Sequence, residues 1–200
     1  MFGLPENSVV GKQLPKTAIY AKFAMNTAER ERFDADISRI AIANLVDTRH
    51  LAEGNDVKSI YVFTVQLKRR DYDPKNIATL AKLIEQKIVF ALMFEDETQL
   101  ATYCTRLITA DWQPTDDVKV PLTGLNLDSV WENIVAAVGS ITIVGSNNIV
   151  EQIAEDDAHA KLMKQIEQLE KKARAEKQPR KKLELFEKLQ ELKKEIIIWT

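Results

Sequence analysis

Asp56, Gln66 and Lys68 form the spacing in this chain that best suits metal-assisted hydrolysis. A nuclease centre of that kind holds a divalent ion with an aspartate and a second oxygen ligand. A lysine two residues further on stabilises the charge that builds in the transition state. Gln66 and Lys68 share one face if they lie on a strand, because strand side chains alternate. Under this alternative the cofactor is Mg2+; otherwise none is expected. The competing reading is a sheet strand that ends in solvated Lys68, Arg69 and Arg70. A second group is a basic run near the C-terminus: Lys171, Lys172, Arg174, Lys177, Arg180, Lys181 and Lys182, with Glu176 as the acid among them. Such a run is either a solvated helix end or a finger for phosphates or an acidic face. Lys16 and Tyr20, one helical turn apart, could add a phosphate contact.

Other chemistries have less to stand on. Cys104 falls between Tyr103 and Thr105 in an apolar, strand-like run, where a lone cysteine is usually a packing residue. His50 and His159 have no serine or cysteine beside them to form a nucleophilic pair. The acids at Asp71/Asp73, Glu95/Asp96/Glu97 and Asp116/Asp117 fall in turns, where carboxylates serve local hydrogen bonds. There is no glycine-rich phosphate loop; Val144 to Asn148 reads as a linker.

The elements that must position these residues divide near residue 150. Residues 1–150 hold all six glycines and read as an α+β globular domain. Pro15 opens a short helix over 16–23. Thr27 caps a longer one to about Asn44, with Phe33, Ile37, Ile40 and Ala41 on one face. Val57 to Lys68 alternates as a long strand. Pro74 starts a helix with Ile77, Leu80, Leu83 and Ile84. Strands follow at 88–94, 99–109 and 118–122, and Asn126 or Asp128 caps a helix with Val130, Trp131, Ile134, Val135 and Val138. The expected sheet is small and mixed, of about four strands, with flanking helices.

Residues 151–200 contain no glycine and are rich in Ala, Glu, Lys, Leu and Gln, which favours helix. Leu162, Ile166, Leu169 and Ala173 make one narrow apolar stripe, and Leu183, Phe186, Leu189, Leu192 and Ile196 another. Proline is tolerated at the start of a helix but not inside one. Gln178-Pro179 therefore predicts an antiparallel, coiled-coil-like helical hairpin, 155–177 and 180–197, with the basic run at its tip. The apolar end, Ile196 to Trp199, would pack at the root of the hairpin or on a partner.

The whole chain has 200 residues, 28 Lys+Arg against 30 Asp+Glu, and one cysteine. The near balance of charge argues against wholesale coating of nucleic acid. One cysteine excludes an internal disulfide, and two distant histidines argue against structural zinc. No apolar run approaches the ~20 residues of a membrane span, and no signal peptide fits the N-terminus. A cytoplasmic protein without a membrane partner is expected.

Several motifs in order resemble the bacterial and archaeal family called domain of unknown function 4391. They are Met1-Phe2-Gly3-Leu4-Pro5, Leu14-Pro15-Lys16 with Tyr20, and Val57 to Phe63 running into Leu67-Lys68. Ile88 to Phe94, Trp112, and Gly124-Leu125-Asn126-Leu127-Asp128 with Trp131 follow in sequence, then the Glu176-Lys177-Gln178 turn and its Lys-rich helix. The resemblance covers nearly the whole chain and implies no established activity. It implies association with helicases and DNA methyltransferases in restriction-like or antiphage gene clusters. Relatives carry an acid where this chain has Gln66, which weakens a nuclease reading, and a lysine near Cys104.

Three readings follow. The first is a non-catalytic accessory protein of a DNA-processing system, whose basic hairpin tip, with Lys16, contacts DNA or an acidic face of a helicase or methyltransferase. The second is a divergent metal-dependent nuclease using Asp56, Gln66 and Lys68. The third is a structural protein that forms a homodimer through the hairpin.

Overall fold

The computed structural model describes residues 2–145 and 147–198, with the side chains of 195–198 left out. The expected packing of Ile196 to Trp199 therefore lies outside the described residues. Two compact units result, Met1–Ile143 and Val144–Thr200.

In the first unit, a 3-10 turn at Glu6–Ser8 leads into β1, Val9–Leu14. Two helices follow, α1 over Lys16–Lys22 and α2 over Thr27–Asp36. Then come β2 at Ile37–Asp47, β3 at Ser59–Leu67, α3 at Pro74–Ala81 and β4 at Lys87–Phe94. Three further strands, β5 (Glu97–Tyr103), β6 (Leu107–Thr109) and β7 (Gln113–Pro114), precede α4, Leu127–Gly139. The strands form one seven-stranded sheet in the order β1-β2-β3-β4-β5-β6, with β7 beside β5. All pairs are antiparallel except β3 and β4, which are parallel and joined through α3. A parallel pair needs such a crossover, whereas antiparallel neighbours can turn directly.

The sheet is larger than the four expected strands. The greatest correction is β2. Its Ile37–Asp47 segment is a strand, although Phe33, Ile37, Ile40 and Ala41 carry helical spacing. The ladder with β3 shifts register between Ile37 and Arg39. This bulge puts Ile37 and Ile40 both on the core face, an i, i+3 spacing made by a strand. β1 is an edge strand exposed along most of its length, so it shows no alternating pattern. The expected strand over 99–109 is broken by a turn at Cys104–Arg106, so Cys104 is at a hairpin rather than mid-strand. Val118 to Leu122 is irregular; Val118 and Val120 are buried, and the Val120 N–H donates to Phe2 O at 3.0 Å.

One sheet face is covered by α1, α2 and α3. Ile19, Phe33, Ile77 and Leu80 from those helices pack on Ile40, Phe63, Val65, Phe90 and Leu92. Phe63 and Phe90, partners across the parallel pair, meet edge to face at 5.9 Å. The other face is covered in part by α4, which buries Leu127, Val130, Trp131, Ile134, Val135 and Val138. Asn126 caps α4 with a reciprocal box to Ser129, as its sequence predicts.

The second unit is a helix pair, α5 at Ile149–Ala175 and α6 at Pro179–Ile198. Asn148 caps α5 with Glu151. Pro179 is the first residue of α6, as the missing donor of proline requires. Ile166, Ala173 and Leu189 are buried in this pair, and Lys193 Nζ reaches Glu170 Oε1 at 2.7 Å from one helix to the other. Among the described residues, no helix is long and apolar enough to cross a membrane.

Candidate functional site

Lys16 and Lys68 lie near Asp34 at one end of the sheet, where β1 ends, β2 begins and β3 runs out, and Gln66 lies at the same end on the other face. Two aspartates at the α2–β2 junction organise this end. Asp36 is fully buried. Its Oδ1 accepts from Arg69 Nε and Nη2, each at 2.5 Å. Its Oδ2 accepts from the Asp73 N–H at 2.8 Å and from Asn76 Nδ2 at 2.7 Å. The Asp36 carbonyl accepts from the Lys68 N–H at 2.7 Å. One carboxylate thus ties the α2–β2 junction to the end of β3 and the start of α3. Both oxygens are saturated by donors, so Asp36 is a structural hub and leaves no lone pair directed at a metal.

Asp34, one helical step away, accepts from Lys16 Nζ and from the Tyr20 hydroxyl, the latter at 2.5 Å. Lys16 Nζ also donates to Ile37 O at 3.1 Å. Burial works against ionising Asp34, but the bonds from Lys16 and Tyr20 and the charges of Lys16 and Lys68 hold its carboxyl below the usual range. The Tyr20 hydroxyl is pushed up to about 12, first by burial and then by Asp34. Lys16 is therefore held at the sheet end by Asp34 and is not a free cation.

On the face not covered by α1 to α3, Gln66 pairs with Arg39 of β2 and with Met93 of β4. Its Nε2 donates to Met93 O at 3.2 Å. Asp56 is not part of this group. It precedes β3, and its N–H faces the Asp128 carboxylate at 3.2 Å. Gln66 lies near the far end of β3, about 23 Å along it from Ser59 at ~3.3 Å per residue. The three residues of the nuclease alternative are thus not brought together. Among the described residues, no group of three or more His, Cys, Asp or Glu could hold a metal.

The remaining candidates are dispersed. His50 Nδ1 lies 3.2 Å from Asp47 Oδ1, and its buried Nε2 has no hydrogen-bond partner among the described residues. Burial pushes the Cys104 thiol up, which disfavours the thiolate a nucleophile needs. At the hairpin turn, Lys171 pairs with Glu167 at 2.7 Å, Arg174 with Glu170 at 3.9 Å and Arg180 with Glu184 at 3.7 Å. Lys172, Lys177, Lys181 and Lys182 carry no ion pair among the described residues; the first three are exposed and Lys182 is half-buried.

The family model described as Domain of unknown function (DUF4391) matches residues 2–196, nearly the whole chain. The chain belongs to this family. No curated protein and no solved structure matches it. The match to the DUF4391 family takes in residues of both compact units.

Asp34, Asp36, Arg39 and Asn76 are absent from the sequence-based candidates. The available signal was Asp34-Ala35-Asp36 directly before an apolar run, with Arg69-Arg70 thirty-odd residues later. Buried carboxylates demand paired donors, and such a pair of segments is where one would look.

Proposed function

We propose that this chain is a non-catalytic accessory protein that contacts the phosphate backbone of DNA through the tip of its helical hairpin, in the service of a DNA-processing helicase or methyltransferase. The observation that carries this reading is the cluster of four lysines without acidic partners, Lys172, Lys177, Lys181 and Lys182, at the turn between α5 and α6. Lys171, Arg174 and Arg180 sit beside them but share their charge with i, i+4 glutamates. Exposed pairs of that kind are worth little and give way to a phosphate. Lysines without partners bind phosphate as mobile point charges, which supplies affinity without sequence readout. The service of a helicase or methyltransferase rests on the family resemblance.

The test is fluorescence anisotropy of a labelled duplex titrated with the full chain at several salt concentrations. Salt-sensitive binding is expected, with log K falling by about 0.9 per phosphate neutralised. Changing Lys172, Lys177, Lys181 and Lys182 to Glu should abolish it while circular dichroism stays unchanged. Equal binding by the variant, or none by the unmutated protein at low salt, removes the tip from DNA contact. The hairpin would then be a protein-docking element.

A further inference from the structure

The part of the second sheet face that α4 leaves open forms a groove of about 440 Å³, lined by residues of the first unit. The ladder registers fix its plan. Arg39 of β2, Gln66 of β3 and Met93 of β4 make one row across the sheet. Gln13 of β1, Ala41 of β2 and Thr64 of β3 make the next. Gly11 and Ala43 continue the trough beyond. Small residues in the middle of a sheet leave a depression, because neighbouring strands lie only ~4.8 Å apart. The helices of the first unit leave it open: Ala41 and Ala43 are half-exposed, whereas Val62 and Val89 on the same sheet are fully buried.

The lining has a definite chemistry. It contains no carboxylate. Arg39 is exposed and has no ion pair or hydrogen bond to its guanidinium among the described residues. An unpaired guanidinium presents a planar fork of donors that matches phosphate. Gln13, also exposed, offers an amide with both donors and an acceptor. Gln66 has committed its Nε2 to Met93 O, so its Oε1 is held as an acceptor. Between these groups the floor is mostly apolar, with Ala41 and Ala43 beside Thr64, whose hydroxyl donates to Ala41 O at 3.5 Å, and with the thioether of Met93 at one side and Val9 at the other. A polarizable sulfur beside such a floor favours an aromatic ring. The volume lies in the ~300–1,000 Å³ range of small-ligand sites.

We propose that this groove binds a nucleoside phosphate unit, with Arg39 on the phosphate, the ring over Ala41 and Ala43, and the amides of Gln13 and Gln66 on the ring edge. The unit could come from a free nucleotide or from a single strand, and both present the same phosphate and ring. The proposal is independent of the hairpin reading, because it uses no residue of the second unit.

The experiment is calorimetric titration of the full chain with a 5′-mononucleotide, with a short single-stranded oligonucleotide, and with inorganic phosphate. The variants are Arg39→Gln and Gln13→Ala, both on exposed side chains, together with the four-lysine tip variant. The expected result is binding of the mononucleotide, or of the oligonucleotide alone if a strand is the source. Arg39→Gln should weaken it at least tenfold and Gln13→Ala severalfold, with the tip variant unchanged for the mononucleotide. Inorganic phosphate should bind far more weakly. Should neither nucleotide probe bind, the proposal is overturned. It is equally overturned if Arg39→Gln binds like the unmutated chain, or if phosphate alone binds as well as the nucleotide.

Discussion

Two aspartates show how single carboxylates hold the first unit together. Asp36 receives four side-chain and backbone donors in a dry site. Replacing it with Ala takes the acceptor from the Asn76 amide and the Asp73 N–H, while the Arg69 side chain, 56% exposed, turns to water. Leaving buried donors without their acceptor costs about 1–3 kcal/mol, and Asp36→Ala should lower the urea midpoint accordingly. Asp128 does comparable work at the opposite end of β3. Its carboxylate accepts from the N–H groups of Val57 at 2.7 Å, Asn55 at 2.6 Å and Asp56 at 3.2 Å. These bonds, that to Val57 foremost, hold its pKa below the usual value. A depressed folded-state pKa contributes stability above the unfolded value of ~3.9, and that stability is lost as pH falls through the folded value. The difference in unfolding free energy between the unmutated chain and Asp128→Asn should thus be constant near neutrality and shrink below about pH 4. Chemical denaturation at a series of pH values reads this directly; a difference that persists unchanged at pH 2 rules it out. Gly54 is part of the same arrangement: a Cβ there would stand 2.3 Å from Asp128 Oδ1. At this scale the sequence was partly legible. Lys16, Gln66 and Lys68 are recognisable in the sequence as polar residues of interest, although it assigns them to two different readings. Asp36 was not, because an assumed helix running to Asn44 placed it mid-helix instead of at a junction.

Among the elements, those with unbroken periodicity were readable. β3 alternates over its whole length, Pro74 opens α3, Asn126 caps α4, and Pro179 divides α5 from α6. The failures have physical causes. The bulge in β2 converts a two-residue period into a helical one. β1, exposed at an edge and carrying its own register shift between Val9 and Lys12, has no apolar face to display. The hairpin and the sheet unit also differ in how their elements are held. The sheet strands are buried on both faces near β3 and β4, whereas α5 and α6 share a narrow seam. Regions with few buried apolar contacts open locally at lower free energy. Amide hydrogen exchange should therefore be fast in α6 and the distal half of α5, and slowest in β3 and β4. Equal protection throughout would show that the helix pair is stabilised by something beyond its own seam.

For the whole molecule, the order of strands in the sheet is the order of strands in the chain, from β1 through β6. Each of these six lies beside the one that preceded it; β1 and β2 are joined through α1 and α2, β3 and β4 through α3, and β7 returns to β5. Closing short loops costs less entropy than closing long ones, and domains are made from the N-terminus onward. A sheet arranged in this way can lengthen sideways as synthesis proceeds, each new strand docking on an edge already in place. No earlier strand has to wait for a distant one to be made. The edge on the side of β2 is covered in turn by each strand that follows, while β1 keeps the outer edge from the start.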